Sequence, residues 1–171
     1  MVKIVFIIWA ASLTFLPAMD YKKLSDFLAV GLVASAYGSA VLRNDVQGEK
    51  AFIYSFGANM ASTMGLKYII DKKRPDGGHY GFPSGHTSIA FQSASFVHRR
   101  YGLGYAAPMY LGAILVGYSR IRAHRHDATD VIAGAILGTL WGYTMTKKYT
   151  NASIRPGTRK GLLGATFQKN W

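Results

Sequence analysis

Three clusters of charged and reactive side chains lie between residues 67 and 130 of this 171-residue chain. In chain order they are K-Y-I-I-D-K-K-R-P at 67–75, P-S-G-H at 83–86 and S-R-I-R-A-H-R-H-D-A-T-D at 119–130. Lys67, Arg74 and Arg120 can together neutralise a dianion, and an Arg side chain can donate two parallel hydrogen bonds to phosphate oxygens. These residue types predict a site that binds a phosphate group.

The second cluster favours an anion through its backbone. Ser84 and Gly85 precede an uncharged stretch, which places them at the N-terminus of a predicted helix. Free backbone N–H groups and the helix dipole attract anions there. Gly85 has no Cβ, so its backbone can come close to a ligand.

The third cluster contains a candidate nucleophile. His126 and Asp130 are four residues apart, which puts them on one face of a helix that begins near Asp127. A carboxylate in that position can hold one imidazole nitrogen and leave the other to attack. His86 titrates near neutral pH, so it can protonate a departing oxygen.

Simpler interpretations exist for each of these residues. A single Lys or Arg at the end of a membrane span, such as Lys67, is commonly an anchor at the interface. Ser84 lacks the G-x-S-x-G sequence of a serine nucleophile. His124 and His126 with Asp130 could ligate a metal, but a third firm ligand is missing, and no metal or other cofactor is expected. The remaining cations and histidine are expected to face solvent or lipid headgroups: Lys72, Lys73, Arg122, His124 and Arg125.

The elements that position these clusters are apolar blocks. Stretches 24–42, 51–70, 101–119 and 128–146 each contain at most one charged residue, and each is close to the 20 residues or so that cross a bilayer. Stretch 84–97 is uncharged but short and partly polar, so it spans only if its start lies in a cavity. A soluble all-helical core is the alternative, although soluble helices normally keep a polar face.

These blocks predict an all-α integral membrane bundle of about six helices, forming a single domain over residues 1–171 with a basic surface tail from about 147. Residues 1–19 are expected to form a short first span, with a signal peptide as the alternative and five spans as its consequence. Gly134, Gly138 and Gly142 form two small-xxx-small steps that favour close helix packing. Pro108 should kink its helix without ending it. With six spans, all three clusters lie on the same side of the membrane.

The composition limits the function further. The chain has 20 Lys and Arg, 8 Asp and Glu, and no Cys, which excludes disulfides and thiol chemistry. A basic nucleic-acid binder would explain the charge but not the apolar blocks, so no nucleic-acid partner is expected. A non-enzymatic protein that binds or transports phospholipid could use the same cations without needing His126 and Asp130. No obligate protein partner is indicated.

Taken together, the three clusters resemble the three-part signature of the type 2 phosphatidic acid phosphatase family. Lys-x6-Arg-Pro, Pro-Ser-Gly-His and Ser-Arg-x5-His-x3-Asp are all present and in order. The resemblance implies that His126 attacks phosphorus, Asp130 orients it and His86 protonates the leaving alkoxide. It also implies that the phosphoryl oxygens are held without a metal by the five residues Lys67, Arg74, Ser84, Gly85 and Arg120.

Within that family, the chain is similar to the membrane lipid phosphatases. Its compact length favours bacterial enzymes that act on envelope lipids, with lipid A 1-phosphate as the first choice. Phosphatidylglycerophosphate and undecaprenyl pyrophosphate are the alternatives. The substrate partners are therefore a lipid phosphate and the bilayer that carries it.

The distribution of cations predicts the orientation. With six spans, 11 of the 20 Lys and Arg residues lie on the face that carries both termini, and nine lie on the other face. Three of those nine belong to the phosphate site. The positive-inside rule therefore places the termini in the cytoplasm and the site on the periplasmic side of the inner membrane.

Overall fold

The computed structural model describes residues 20–150 and the backbone of 152–159 and 162–169. It contains five helices in its described part, and an antiparallel hairpin of two strands follows them in the basic tail. Their bounds are α1 Tyr21–Val41, α2 Val46–Ile70, α3 Gly85–Tyr101, α4 Leu103–Arg122, α5 Ala128–Thr144, β1 Ala152–Arg159 and β2 Leu162–Lys169. The helices correspond to five of the six predicted spans, and the predicted helical bundle is confirmed. The expected span at residues 1–19 lies outside the described residues.

Helix α3 occupies the centre of the bundle and contacts all four other helices. Most of its side chains are buried, including Ala90, Ala94 and Phe96. Many of its polar residues are buried as well, and α2 satisfies two of them: Ser88 donates to Oδ1 of Asn59 at 2.6 Å. Gln92 donates to Oγ of Ser55 at 2.8 Å. The polar stretch 84–97 can therefore form an interior helix because its hydrogen bonds are made to a neighbouring helix.

The glycine steps of α5 allow it to lie against the backbone of α3. A Cβ on Gly134, Gly138 or Gly142 would come within 2.1 to 2.5 Å of the carbonyl oxygens of Ser84, Ser88 and Gln92, respectively. Each of these distances is shorter than the contacts that Cβ atoms make in proteins, so no side chain fits at these positions. The small-xxx-small prediction is confirmed, and this close packing brings the start of α5 to the start of α3.

The outer surface of the bundle carries large apolar side chains. On α5, Ile132, Ile136 and Leu140 are more than half exposed and lie opposite the glycine face. Leu111 and Ile114 are similarly exposed on α4. Among the described helices, only α1 is both long enough and apolar enough to cross a membrane by length and hydropathy, with a mean hydropathy of 1.4.

The connections divide the bundle into two ends. The loop between α2 and α3 and the loop between α4 and α5 lie at the end where α1 begins. Residues 42–45, Gly102 and the segment that follows α5 lie at the other end. Pro108 is inside α4, which continues to Arg122 as predicted.

Candidate active site

His126 and Asp130 meet at the start of α5. His126 is 3% exposed and Asp130 is fully buried. Nδ1 of His126 lies 3.4 Å from Oδ2 of Asp130, which leaves the ring without a well-formed hydrogen bond at Nδ1. The i, i+4 relation predicted from the sequence is confirmed, and it directs Nδ1 toward the carboxylate.

A capping box fixes Asp130 in this position. The Asp127 side chain accepts a hydrogen bond from the Asp130 backbone N–H at 3.0 Å, and Oδ2 of Asp130 accepts from the Asp127 backbone at 3.2 Å. Two orphan backbone donors of the helix start are thereby satisfied. The same hydrogen bonds hold the carboxylate beside His126.

Lys72 is a site residue that the sequence analysis missed. Its Nζ donates to Oδ1 of Asp130 at 2.8 Å and also pairs with Asp127. The prediction that Lys72 faces solvent or headgroups is therefore wrong. Burial opposes its charge, but the hydrogen bonds to the two carboxylates outweigh burial and raise the pKa of Lys72. The hydrogen bond from Lys72, followed by that from Thr129, holds the pKa of Asp127 well below its usual range.

The second and third clusters are joined through the backbone. The N–H of Ser84 donates to the carbonyl oxygen of Asp130 at 2.9 Å. The hydroxyl of Ser84 is buried and lies 2.9 Å from that of Thr87. Gly85 is the first residue of α3, and a Cβ there would meet no atom of another residue closer than 3.8 Å. Ser84 and Gly85 therefore lie at a helix start as predicted, next to the dyad.

Lys67 shapes the loop between α2 and α3. It is 9% exposed, and its Nζ donates to the carbonyl oxygens of Tyr80 at 2.7 Å and Pro83 at 2.8 Å. Two of its three donors are thus used by the protein. The ammonium charge remains next to the start of α3, where it can still act on an anion.

Three arginines of the described part have a buried Nε without a hydrogen-bond partner, Arg74, Arg120 and Arg125, and the first two are predicted phosphate-binding residues. Arg120 is 4% exposed, and its Nη1 lies 3.1 Å from Oγ of Ser25. A buried guanidinium donor without a partner is costly unless a ligand supplies an acceptor.

Asp26 is a second residue that the sequence analysis missed as a site residue. Its Oδ1 lies 2.9 Å from Nε2 of His86 and 3.3 Å from Nη1 of Arg120. Asp26 is the only charged residue of the 24–42 stretch, and a carboxylate within a span was the one signal that could have identified it.

The pKa of His126 reflects its burial and the approach of the first cluster to the third. Burial disfavours the charged ring, and the cations of Arg120, Lys67 and Arg74 add to this effect, so that its pKa falls to about 4. The ring is therefore neutral at physiological pH and carries a free electron pair on one nitrogen. Within residues 20–150, no group of three or more His, Asp or Glu side chains is placed to hold a metal ion.

The chain is similar in sequence to known proteins. The PAP2 superfamily profile matches residues 68–154, which is more than half of the chain. The chain is 36% identical over 126 residues to a lipid A 1-phosphatase of Porphyromonas gingivalis and 34% identical over 97 residues to a lipid A 4'-phosphatase of Helicobacter pylori. These alignments cover 71% and 50% of this chain. The chain spans only 24% and 49% of the length of those two relatives.

Two solved structures share the fold. LpxE of Aquifex aeolicus matches with a TM-score of 0.65 at 24% identity, covering 75% of this chain and 86% of that one. A transmembrane PAP2-type phosphatidylglycerolphosphate phosphatase of Bacillus subtilis matches with a TM-score of 0.61 at 22% identity, covering 82% and 81%. The helical arrangement described above is therefore the fold of these two proteins.

Proposed function

Because the chain belongs to the PAP2 superfamily, we propose that it is a membrane phosphatase that removes a phosphate group from a lipid phosphate. One observation carries this proposal: the buried Nε atoms of Arg74 and Arg120 have no partner among the described residues. Together with Lys67, these two cations lower the pKa of His126 and keep its ring neutral. A phosphate group would supply the acceptors that these donors lack. The family membership supports the same reaction.

His126 is the nucleophile in the proposed mechanism. Its Nδ1 faces Asp130, which leaves Nε2 to attack phosphorus. The new bond joins Nε2 to phosphorus while the bond from phosphorus to the lipid oxygen breaks. A water molecule then attacks the phosphohistidine, releases inorganic phosphate and restores the neutral ring. Asp130 stabilises the positive charge that the ring acquires.

His86 supplies the proton that the leaving oxygen takes up. Its side chain is 36% exposed, so a lipid oxygen can approach it. An alkoxide is a poor leaving group, and general acid catalysis at this step contributes about 10²- to 10⁴-fold. Oδ1 of Asp26 lies 2.9 Å from Nε2 of His86 and can orient the ring toward the leaving oxygen.

The phosphoryl oxygens are held by the three cations and by the start of α3. Lys67, Arg74 and Arg120 balance the charge that builds in the transition state. Ser84 and Gly85 add the N-terminal end of a 17-residue helix, which favours an anion. No step of this mechanism requires a metal.

Lipid A is the proposed substrate, with its 1-phosphate as the favoured position. The named activities of the Porphyromonas and Helicobacter relatives support lipid A as the substrate class. The cation distribution supports an active site that faces the periplasm from the inner membrane, on the side where lipid A is displayed before export. The proposal includes multi-pass insertion, which the apolar outer surface of α4 and α5 supports.

The decisive experiment measures phosphate release by the purified protein in detergent. Lipid A, phosphatidylglycerophosphate and undecaprenyl pyrophosphate are offered in parallel, with His126→Ala as the inactive control. We expect fastest release from lipid A and, in the unaltered protein alone, a phosphoenzyme that is trapped by an alkaline denaturing quench and lost in acid, because the P–N bond of a phosphohistidine is acid-labile. Failure to release phosphate from all three lipids would favour a lipid-binding protein, and faster release from another lipid would replace the substrate.

A further inference from the structure

A cationic cavity lies at the end of the bundle opposite the active site. It has a volume of about 430 Å³, within the range of small-ligand sites, and we refer to it as the distal cavity. Four cationic side chains line it: Arg43 after α1, Arg99 and Arg100 at the end of α3, and Lys148 after α5. Three helix ends therefore bring positive charge to one place.

Tyrosine rings hold the guanidinium groups in defined orientations. Arg43 stacks between Tyr101 and Tyr105, with its Cζ 4.6 Å and 5.2 Å from the two ring centroids. Arg99 lies 4.9 Å from the centroid of Tyr143. Stacking fixes the plane of a guanidinium without using its N–H donors. One donor of each is used by the backbone: Nη1 of Arg43 donates to the carbonyl oxygen of Ser39 at 2.9 Å, and Nε of Arg99 to that of Thr146 at 3.3 Å. The other donors can bind an oxyanion at little cost in conformational freedom.

The charge of the distal cavity is not neutralised by the carboxylate nearest to it. Asp45 is 5% exposed and accepts from Nε of Arg100 at 2.7 Å and from the Tyr101 hydroxyl at 2.9 Å. It also caps α2 by accepting from the Gly48 backbone N–H at 2.9 Å. Asp45 is therefore paired with Arg100. It does not neutralise the charge of Arg43, Arg99 or Lys148.

Apolar side chains border the same cavity. Leu103 and Tyr105, which line it, are 57% and 46% exposed, and Leu42 beside Arg43 is 63% exposed. A free phosphate ion would gain nothing from these neighbours. A phospholipid would place its headgroup among the cations and its acyl chains along the apolar surface.

We propose that the distal cavity binds the phosphate headgroup of an anionic phospholipid on the membrane face opposite the active site. Arg43 and Arg99 donate to the phosphate oxygens, and Lys148 adds a mobile charge at the rim. The site is separate from the proposed catalytic reaction and does not contact His126. Its occupancy would tie together α1, α3 and the segment after α5.

The test is a binding assay that requires no turnover, so its outcome is independent of the proposed phosphatase activity. The purified full chain in detergent is titrated with phosphatidylglycerol, phosphatidylcholine or inorganic phosphate, and bound lipid is counted by native mass spectrometry. Arg43→Gln, Arg99→Gln and Lys148→Gln each remove one cation from the cavity. Lys147→Gln is the matched control, because Lys147 is adjacent and exposed but does not line the cavity.

We expect the unaltered chain to retain phosphatidylglycerol in preference to phosphatidylcholine. Each cavity substitution should weaken phosphatidylglycerol binding by about fivefold, and Lys147→Gln by less than twofold. Lys148→Gln, at an exposed position, provides a result even if an arginine variant fails to fold. Equal losses in the cavity variants and the control would overturn the proposal, as would inorganic phosphate that competes with phosphatidylglycerol at equal concentration.

Discussion

Nε2 of His86 lies 2.9 Å from Oδ1 of Asp26, and the same carboxylate oxygen lies 3.3 Å from Arg120. A side chain of α1 thus contacts both the proposed general acid and a proposed phosphate-binding residue. This contact places α1 within the site, although the three sequence clusters lie entirely on later helices and loops. Asp26 can therefore orient the imidazole that delivers the proton.

Asp26→Asn should slow the reaction selectively. We expect kcat to fall at least about tenfold for a lipid phosphate, because the leaving alkoxide needs a proton from His86. For an activated aryl phosphate, whose leaving group needs none, kcat should change by less than about twofold. The comparison is made on both substrates, with Asp20→Asn as control, because Asn retains the N-cap function of Asp20 in α1. Equal losses on the two substrates would indicate a structural role for Asp26.

Lys72→Met should impair the dyad without weakening substrate binding. Lys72 holds Oδ1 of the buried Asp130, and loss of one such charged hydrogen bond costs about 1.5–3 kcal/mol. We expect kcat to fall about tenfold or more while KM stays within twofold, and Lys72→Arg to recover part of the rate. The exposed neighbour Lys73, changed to Met, is the control. If both variants behaved alike, Lys72 would have no positioning role.

The sequence was sufficient to predict the helical bundle and the shared helix face of His126 and Asp130, because both depend on local patterns. Apolar length marked the helices, and the four-residue spacing of His126 and Asp130 determined their shared helix face. Asp26 and Lys72 could not be predicted in the same way. Lys72 reaches Asp130 across 58 positions of the chain, and such a contact depends on how helices rotate and pack against one another.

The sequence also could not predict how many N–H donors of Lys67 remain available to a ligand. The cluster predicts a cation at that position, and the structure places one there. Only the path of the loop between α2 and α3 reveals that Lys67 also binds the carbonyl oxygens of Tyr80 and Pro83. No residue pattern in the sequence predicts where the carbonyl oxygens of such a loop lie.

Gly138→Ala should destabilise the bundle. A Cβ at this position would lie 2.1 Å from the carbonyl oxygen of Ser88, and neither backbone can move without separating α3 from α5. We expect a loss of about 1–3 kcal/mol, seen as a lower thermal midpoint in detergent. Gly65→Ala is the control, since a Cβ there meets nothing within 4 Å. An unchanged midpoint for Gly138→Ala would contradict the close packing of these helices.

The pKa of His126 predicts a pH dependence of stability. Its value in the folded protein is about 4, below the unfolded value of roughly 6.5, so the unfolded chain binds more protons between these two pH values. Stability should therefore fall as pH drops from about 6.5 to about 4, by on the order of 3 kcal/mol from this group. His126→Gln removes the contribution. Thermal midpoints of the two proteins should diverge across this range, and parallel curves would refute the assignment.

The two ends of the bundle should lie on opposite sides of the inner membrane. His79 is 60% exposed in the loop at the active-site end, and Lys147 is exposed at the other end. The chain contains no Cys, so His79→Cys and Lys147→Cys each introduce a single thiol. An impermeant maleimide added to intact spheroplasts should label position 79 and spare position 147, because the positive-inside rule places the more cationic end in the cytoplasm. Permeabilised cells, in which both positions should react, provide the control. The opposite labelling would place the active site in the cytoplasm, where a lipid displayed on the outer leaflet could not reach His126.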